Sequence, residues 1–278
     1  ALTSQPRSAM SNEAAPDTST ANTGSSTKWI ALAAMMFAVS MMFIDQTIVS
    51  IAIPTIQTEL GLSDAGVQWV INGYLLSLSA FFALGGRLSD ILGHKKMVLL
   101  GVTIFAVSSA LGGATPASSA AEAWLIIFRI VQGIGAALLF PAALAIVVSV
   151  FPLKERGKAL ALFFGITGGL TAIGPILGGY LSEWTWRAIF WVNVPVAIIA
   201  IILTLIAKIH TKHKREPLDY KGAVLIALGM GFSVLGLQQA SSWGWGSWKT
   251  IGSIVLGLAL LVVFVKVETK VKIPLIKV

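Results

Sequence analysis

Residues 122–150 read EAWLIIFRIVQGIGAALLFPAALAIVVSV, and Glu122 and Arg129 are the only charged residues in this stretch. A helix of about 20 mostly apolar residues is long enough to cross the hydrocarbon core of a bilayer. A surface helix of a water-soluble domain would instead carry polar residues along one face. The stretch therefore predicts a membrane-spanning helix with one arginine inside it.

Seven further apolar stretches of similar length accompany this one. The predicted spans, numbered 1 to 8 in chain order, cover residues 29–53, 67–90, 97–114, 122–150, 157–181, 187–207, 219–240 and 250–267. Hydrophobic residues make up 56% of the 278 positions and charged residues 12%, whereas a soluble domain carries about 25% charge. The sequence predicts an all-α polytopic membrane protein that lies in the lipid bilayer.

The charged residues alternate between the two sides of the predicted membrane. The formal net charge is +8, from 20 Lys and Arg against 12 Asp and Glu. The connections between spans 2 and 3, 4 and 5, and 6 and 7, and the segment after span 8, carry Arg87, Lys95 and Lys96; Lys154, Arg156 and Lys158; Lys208, Lys212, Lys214, Arg215 and Lys221; and Lys270, Lys272 and Lys277. Because cytoplasmic connections carry excess Lys and Arg, we expect a cytoplasmic N-terminus in a cell membrane. Basic residues at the ends of spans do not indicate a nucleic-acid partner.

The composition also predicts where the chain divides. Residues 1–28 are rich in Ser, Thr, Ala and Asn without an apolar period, which predicts a disordered cytoplasmic tail. Residues 29–207 would form a six-helix bundle, 208–221 a cytoplasmic linker, and 222–278 two extra membrane helices and the chain end. The linker contains His210 and His213 without carboxylates in a metal-binding pattern, so we predict a solvated basic loop and no metal.

Asp45 in span 1 and Arg129 in span 4 are ionisable groups inside predicted spans. Such a group costs roughly 2.5–3.5 kcal/mol on insertion scales, so it usually has a function or a partner. Asp45 precedes Pro54 by ~13 Å of helix and Arg129 follows Glu122 by ~10 Å, at a rise of 1.5 Å per residue. These similar depths suggest that the two face a common polar cavity and influence each other's charge, as in a proton-carrying pair. A fixed structural ion pair is the alternative.

Span 5 combines a proline with closely spaced glycines. Gly165 and Gly169, and Gly174 and Gly178, are each four residues apart, a spacing that lets helix backbones approach closely. Pro175 removes a backbone donor and should bend the span.

The sequence gives no indication of an enzyme or a cofactor. Gly133 and Gly135 form a G-x-G inside a span rather than after a strand, so they do not indicate a dinucleotide site. The loops contain neither a nucleophile–base pattern nor a close pair of carboxylates.

Four motifs together resemble the major facilitator superfamily, and within it the fourteen-helix drug:proton antiporter branch. The segments are IDQTIVSIAIP at 44–54, GRLSDILGHKK at 86–96, RIVQGIGAA at 129–137 and GPILGG at 174–179. WRAIFWVNVP at 186–195 is also similar to the branch, with Arg187, Phe190, Asn193 and Pro195 matching. Three positions depart from the pattern: Ile91 stands where Arg is usual, His94 replaces a basic residue, and Leu170 replaces a small one.

The resemblance assigns roles to residues of all four motifs. It implies proton coupling by Asp45 and Arg129, a helix-4 motif of Gln132, Gly133 and Gly135, a conformational motif of Gly86, Asp90, Gly93 and Lys95, and an antiporter motif of Gly174, Pro175, Gly178 and Gly179. The implied activity is proton-coupled efflux of amphipathic or cationic drugs by alternating access between two six-helix bundles. The two extra helices would lie between these bundles.

The resemblance further implies that the chain is the N-terminal portion of such a protein. We expect the C-terminal six-helix bundle of the same protein to be its missing partner, alongside protons and a small-molecule substrate. Two alternatives stay open: export of a specific metabolite, and a truncated membrane protein that does not transport.

Overall fold

The computed structural model describes residues 18–211 and 215–277, with side chains from residue 24 onward, and its regular structure there is α-helical. The helices are α1 (Thr18–Leu60), α2 (Asp64–Leu92), α3 (His94–Gly113), α4 (Ala121–Val150), α5 (Leu153–Thr171), α6 (Ile173–Trp184), α7 (Ala188–Trp191), α8 (Asn193–Ile206), α9 (Tyr220–Trp243) and α10 (Trp248–Glu268).

Eight helical segments in the described ranges are long and apolar enough to cross a membrane. Helices α5 and α6 together make one span, Leu153–Trp184, and α7 and α8 make another, Ala188–Ile206. The remaining six helices each make one. The predicted all-α fold with eight spans is therefore confirmed, and the chain is a multi-pass membrane protein.

The structure differs from the predicted tail, because α1 begins at Thr18 and residues 18–28 are helical. Residues 1–17 lie outside the described part of the chain. The segment 18–28 contains no proline, and extending a helix that a span has already nucleated costs little. Lys28 also forms a salt bridge with Glu155 at the start of α5, which anchors this end of α1.

Helix α4 packs closely against both α2 and α3, and small residues make this possible. Gly85 of α2 faces the backbone of Ala137, and Gly133 of α4 faces the carbonyl of Tyr74. Gly101 of α3 faces the backbone of α4 in the same way. Close backbone approach through small residues is a main source of helix association in membranes. The contacts fix the position of α4, and with it that of Arg129.

Helices α9 and α10 form a hairpin that docks on α2 through polar side chains as well as apolar ones. Near one end of α2, Asn72 donates to Gln239 at 3.4 Å, and Ser242 donates to Gln68 at 2.6 Å. At the other end of α2, Arg87 pairs with Glu216 of the linker at 2.8 Å. The hairpin is thus attached to α2 at both ends; the boundary at 208–221 stays a prediction.

The connections lie at two ends of the bundle. Arg87 and Glu216 join two connections that were predicted to be basic. Lys28 of the predicted N-terminal tail pairs with Glu155 of a third basic connection. All of these segments were predicted to share one side, and we name this end of the bundle the basic face. At the opposite face, the backbone N–H of Ser63 donates to Glu122 at 2.9 Å. The orientation of these faces in a cell membrane stays a prediction.

The fifth span is broken next to its proline. Helix α5 ends at Thr171 and α6 begins at Ile173, so the helix is interrupted close to Pro175. The bend itself stays a prediction. Gly174 and Gly178 lie against α1, as their spacing predicted.

The prediction of close packing is wrong for Gly165 and Gly169 within the described chain. A Cβ atom at either position would meet no atom within 4 Å. The spacing identifies a face of small residues, but it does not say which helix covers that face.

Candidate functional site

Asp45 of α1 lies at the centre of a buried polar network and is itself 0% exposed. Its Oδ2 accepts a hydrogen bond from Nη1 of Arg129 at 2.5 Å. Its Oδ1 accepts from Nε2 of Gln132 at 3.0 Å and from Nδ2 of Asn193 at 3.4 Å. Three helices, α1, α4 and α8, thus supply one carboxylate and its donors.

Arg129 is 2% exposed and is held on several sides. Its Nη1 also donates to Oε1 of Gln132 at 2.9 Å, and its Nε donates to the carbonyl of Val70 at 3.0 Å. The centre of its guanidinium lies 4.5 Å from the ring centroid of Tyr74, a cation–π distance. The arginine therefore connects α4 to both α1 and α2.

The structure brings together Asp45, Arg129 and Gln132, all of which the sequence singled out. Gln132 follows Arg129 by three positions, so both side chains lie on the same face of α4. A buried ion pair is stable only when its geometry is good and its remaining polar atoms have partners. The contacts of both oxygens of Asp45 meet that condition.

Asn193 and Ser109 extend the network and had no assigned role in it. Nδ2 of Asn193 donates to Oγ of Ser109 at 2.9 Å, and that hydroxyl donates to the carbonyl of Phe190 at 2.8 Å. The available signal for Asn193 was an amide side chain within the apolar sixth span. No sequence spacing relates it to Asp45, because only the packing of α8 on α1 brings the two together.

A cavity of about 260 Å³ lies beside the ion pair. Arg129 and Tyr74 line it on one side, and Gln46, Thr47 and Ser50 of α1 supply its polar wall. Arg129, which donates to Asp45, is among the lining residues, and Asp45 itself is not.

The residues of the predicted conformational motif lie at the basic face, far along α2 from the ion pair. Gly93 has φ of 101°, a backbone conformation that side-chain-bearing residues rarely adopt, and this allows α2 to end where α3 begins. Asp90 is exposed and lines a second cavity together with Gly86 and Arg87. Lys95 is half-buried in the first turn of α3.

The glycines of the helix-4 and antiporter motifs have different surroundings. Gly133 and Gly135 lie against the backbones of α2 and α3, and Gly174 lies against Thr47 of α1. A Cβ at Gly179 would meet no atom within 4 Å, so this glycine is not needed for packing within the described chain.

Among the described residues, no group of three His, Cys, Asp or Glu side chains is placed to hold a metal ion. His213 lies outside the described residues.

Relatives of known description match most of this chain. The tetracenomycin C resistance and export protein of Streptomyces glaucescens is 38% identical over 250 residues, 89% of this chain and 46% of that protein. The puromycin resistance protein pur8 of Streptomyces alboniger is 36% identical over 252 residues, 90% of this chain and 49% of that protein. Multidrug resistance protein 3 of Bacillus subtilis is 30% identical over 263 residues, 94% of this chain and 50% of that protein. The chain thus spans about half the length of these relatives.

Solved structures share the fold at low sequence identity. A crystal structure of the POT family transporter PepTSo matches with a TM-score of 0.60 at 16% identity, over 87% of this chain and 52% of that one. A D-xylose–proton symporter matches with a TM-score of 0.55 at 16% identity, over 85% and 66%. The family model described as Major Facilitator Superfamily matches residues 35–265. The chain therefore belongs to the Major Facilitator Superfamily, a family of transporters rather than of enzymes.

Proposed function

We propose that this chain is the N-terminal portion of a proton-coupled exporter of amphipathic or cationic compounds in the cell membrane. Its N-terminus would be cytoplasmic, and a second six-helix bundle of the same protein would complete the transport pathway. The observation that carries the proposal is the buried Asp45–Arg129 pair beside a polar cavity. The names of the relatives, which are resistance and export proteins, support the direction of transport.

The geometry suggests how a proton could be coupled to a substrate. Asp45 accepts from Arg129, Gln132 and Asn193 while it is a carboxylate. A proton on Asp45 would remove the charge that holds the guanidinium, and Arg129 would then be free to turn toward the cavity. A cationic substrate in that cavity would repel Arg129 back onto Asp45 and expel the proton. Proton and substrate would therefore exclude each other, as antiport requires.

The other motifs would supply the conformational change. Gly174, Pro175 and their neighbours shape the break between α5 and α6 on the surface of α1. Gly86, Asp90, Gly93 and Lys95 would stabilise one state of the transporter at the basic face. Gly179, whose surroundings are open in this chain, would lie toward the second bundle.

A second candidate is an exporter of one compound rather than of many. Two relatives are named for single antibiotics, tetracenomycin C and puromycin. The ion pair would serve either exporter, because its proposed role is in proton coupling and not in the selection of the substrate.

Asp45→Asn is the direct test of coupling. We expect the full-length variant in proteoliposomes to lose efflux of a cationic dye such as ethidium that is driven by a proton gradient. The amide has nearly the shape of the carboxylate but binds no proton. Dye movement and the internal pH of the proteoliposomes are both measured, with and without an imposed pH gradient.

Asp64→Asn is the matched control, because Asp64 lies in the first turn of α2 outside the network. Undiminished proton-driven efflux by the Asp45 variant would remove that residue from coupling. A wild type that responds to the gradient with one antibiotic but not with dyes would favour the single-compound exporter.

A further inference from the structure

The break in the fifth span exposes one backbone carbonyl. In a continuous helix the carbonyl of Thr171 would accept from the N–H of residue 175. That residue is Pro175, which has no N–H. A carbonyl without a partner is costly in a bilayer, where water is scarce.

Thr47 of α1 supplies the missing donor. Its Oγ1 lies 3.1 Å from the carbonyl oxygen of Thr171 and 3.0 Å from that of Ile44 in its own helix. A hydroxyl has one proton to donate, so it serves these two acceptors in competition. Donation to Thr171 gives the carbonyl at the break a hydrogen-bond partner, and donation to Ile44 leaves that carbonyl without one.

Gly174 leaves the room that this contact needs. A Cβ at position 174 would overlap Oγ1 of Thr47 and lie 2.9 Å from its Cβ. It would also lie 3.2 Å from the carbonyl of Ile44, the competing acceptor. Gly174 therefore leaves space for the Thr47 hydroxyl, and Pro175 leaves without a backbone donor the carbonyl to which that hydroxyl donates.

Thr47 is also close to the proposed coupling pair. It follows Asp45 by two residues on α1, and it lines the same cavity as Arg129. A movement of Arg129 into that cavity, or a substrate within it, would act directly on the side chain of Thr47.

We propose that Thr47 is a positioning residue that links the coupling site on α1 to the break in the fifth span. Donation to Thr171 holds α5 and α6 against α1 in the state described here. Donation to Ile44 releases the break and lets the two halves of the span move relative to α1. This inference rests on the proposed function, because it gives the break a role in the transport cycle.

The test combines a transport assay with a stability cycle on the full-length protein. Thr47→Val keeps the shape and removes the donor, and we expect it to slow proton-driven dye efflux about tenfold, the order expected for one lost hydrogen bond. Thr47→Ser restores the donor and should recover most of the rate. Thr58→Val is the matched control, since Thr58 bonds only within α1, to Pro54, at 2.9 Å.

The stability cycle uses Pro175→Ala, which restores the N–H for Thr171. Thr47→Val should lower the thermal unfolding midpoint in the wild-type background and have little effect beside Pro175→Ala. Additive midpoints would overturn the contact, and a Thr47→Val variant with wild-type efflux and proton dependence would overturn the positioning role. A wild type without proton-driven efflux would refute the proposed function instead, and the stability cycle would still decide the contact.

Discussion

Arg129→Ala is expected to destabilise the protein by about 3–5 kcal/mol, because it leaves the carboxylate of Asp45 buried without a cation. Asp45 is fully buried, and Gln132 and Asn193 would be its only remaining partners among those described. The variant would also lose the contacts of the guanidinium with Val70 and Tyr74. We expect a large loss of folded protein and no proton-driven efflux.

The measurement is the thermal unfolding midpoint of purified protein, with the folded yield from size-exclusion chromatography. Arg156→Ala is a suitable control, because Arg156 is half-buried at the basic face and donates to the carbonyl of Phe151 at 3.2 Å. The double variant Asp45→Asn with Arg129→Gln should recover much of the stability, since it buries no unpaired charge, but it should not recover coupling. An Arg129→Ala variant as stable as the Arg156→Ala control would contradict the account of the ion pair.

Gly133→Ala is expected to have the second-largest effect, a loss of about 1–3 kcal/mol from overpacking. The new Cβ would overlap the backbone carbonyl of Tyr74 and the hydroxyl of Ser77. Because one obstacle is backbone, no rotamer change relieves it, and α2 and α4 must separate. That separation would also move Arg129 away from Tyr74, so we expect efflux to fall along with stability.

Gly165→Ala and Gly169→Ala are matched controls in a neighbouring span. No atom of the described chain lies within 4 Å of a Cβ at either position. Alanine also favours a helix over glycine by about 1 kcal/mol. In the 278-residue chain these variants should therefore match or exceed the unfolding midpoint of the unsubstituted chain. A Gly133→Ala midpoint equal to theirs would show that the close packing of α2 on α4 does not hold.

Much of the fold could be predicted because lipid imposes a simple rule on sequence. A spanning helix needs about 20 apolar residues whatever it packs against, so eight spans were predictable from the lengths and positions of the apolar stretches. Charges inside such spans are expensive, and this cost singled out Asp45 and Arg129. The break near Pro175 was predictable for a similar reason, since the missing N–H is a property of the residue itself.

What the sequence by itself determined is therefore what depends on single residues or on local spacing. These features are the number of spans, the two charges inside them, the shared face of Arg129 and Gln132, and the interruption of the fifth span near Pro175. Beyond the pairing of Asp45 with Arg129, which their similar depths had suggested, the tertiary structure decided which helices meet. It placed Asn193 and Ser109 at Asp45, set Thr47 against Thr171, and left Gly165 and Gly169 open where their spacing had predicted contact. The physical reason is that lipid makes every span apolar around most of its surface. The choice of partner then depends on shape and hydrogen bonds between helices distant in sequence.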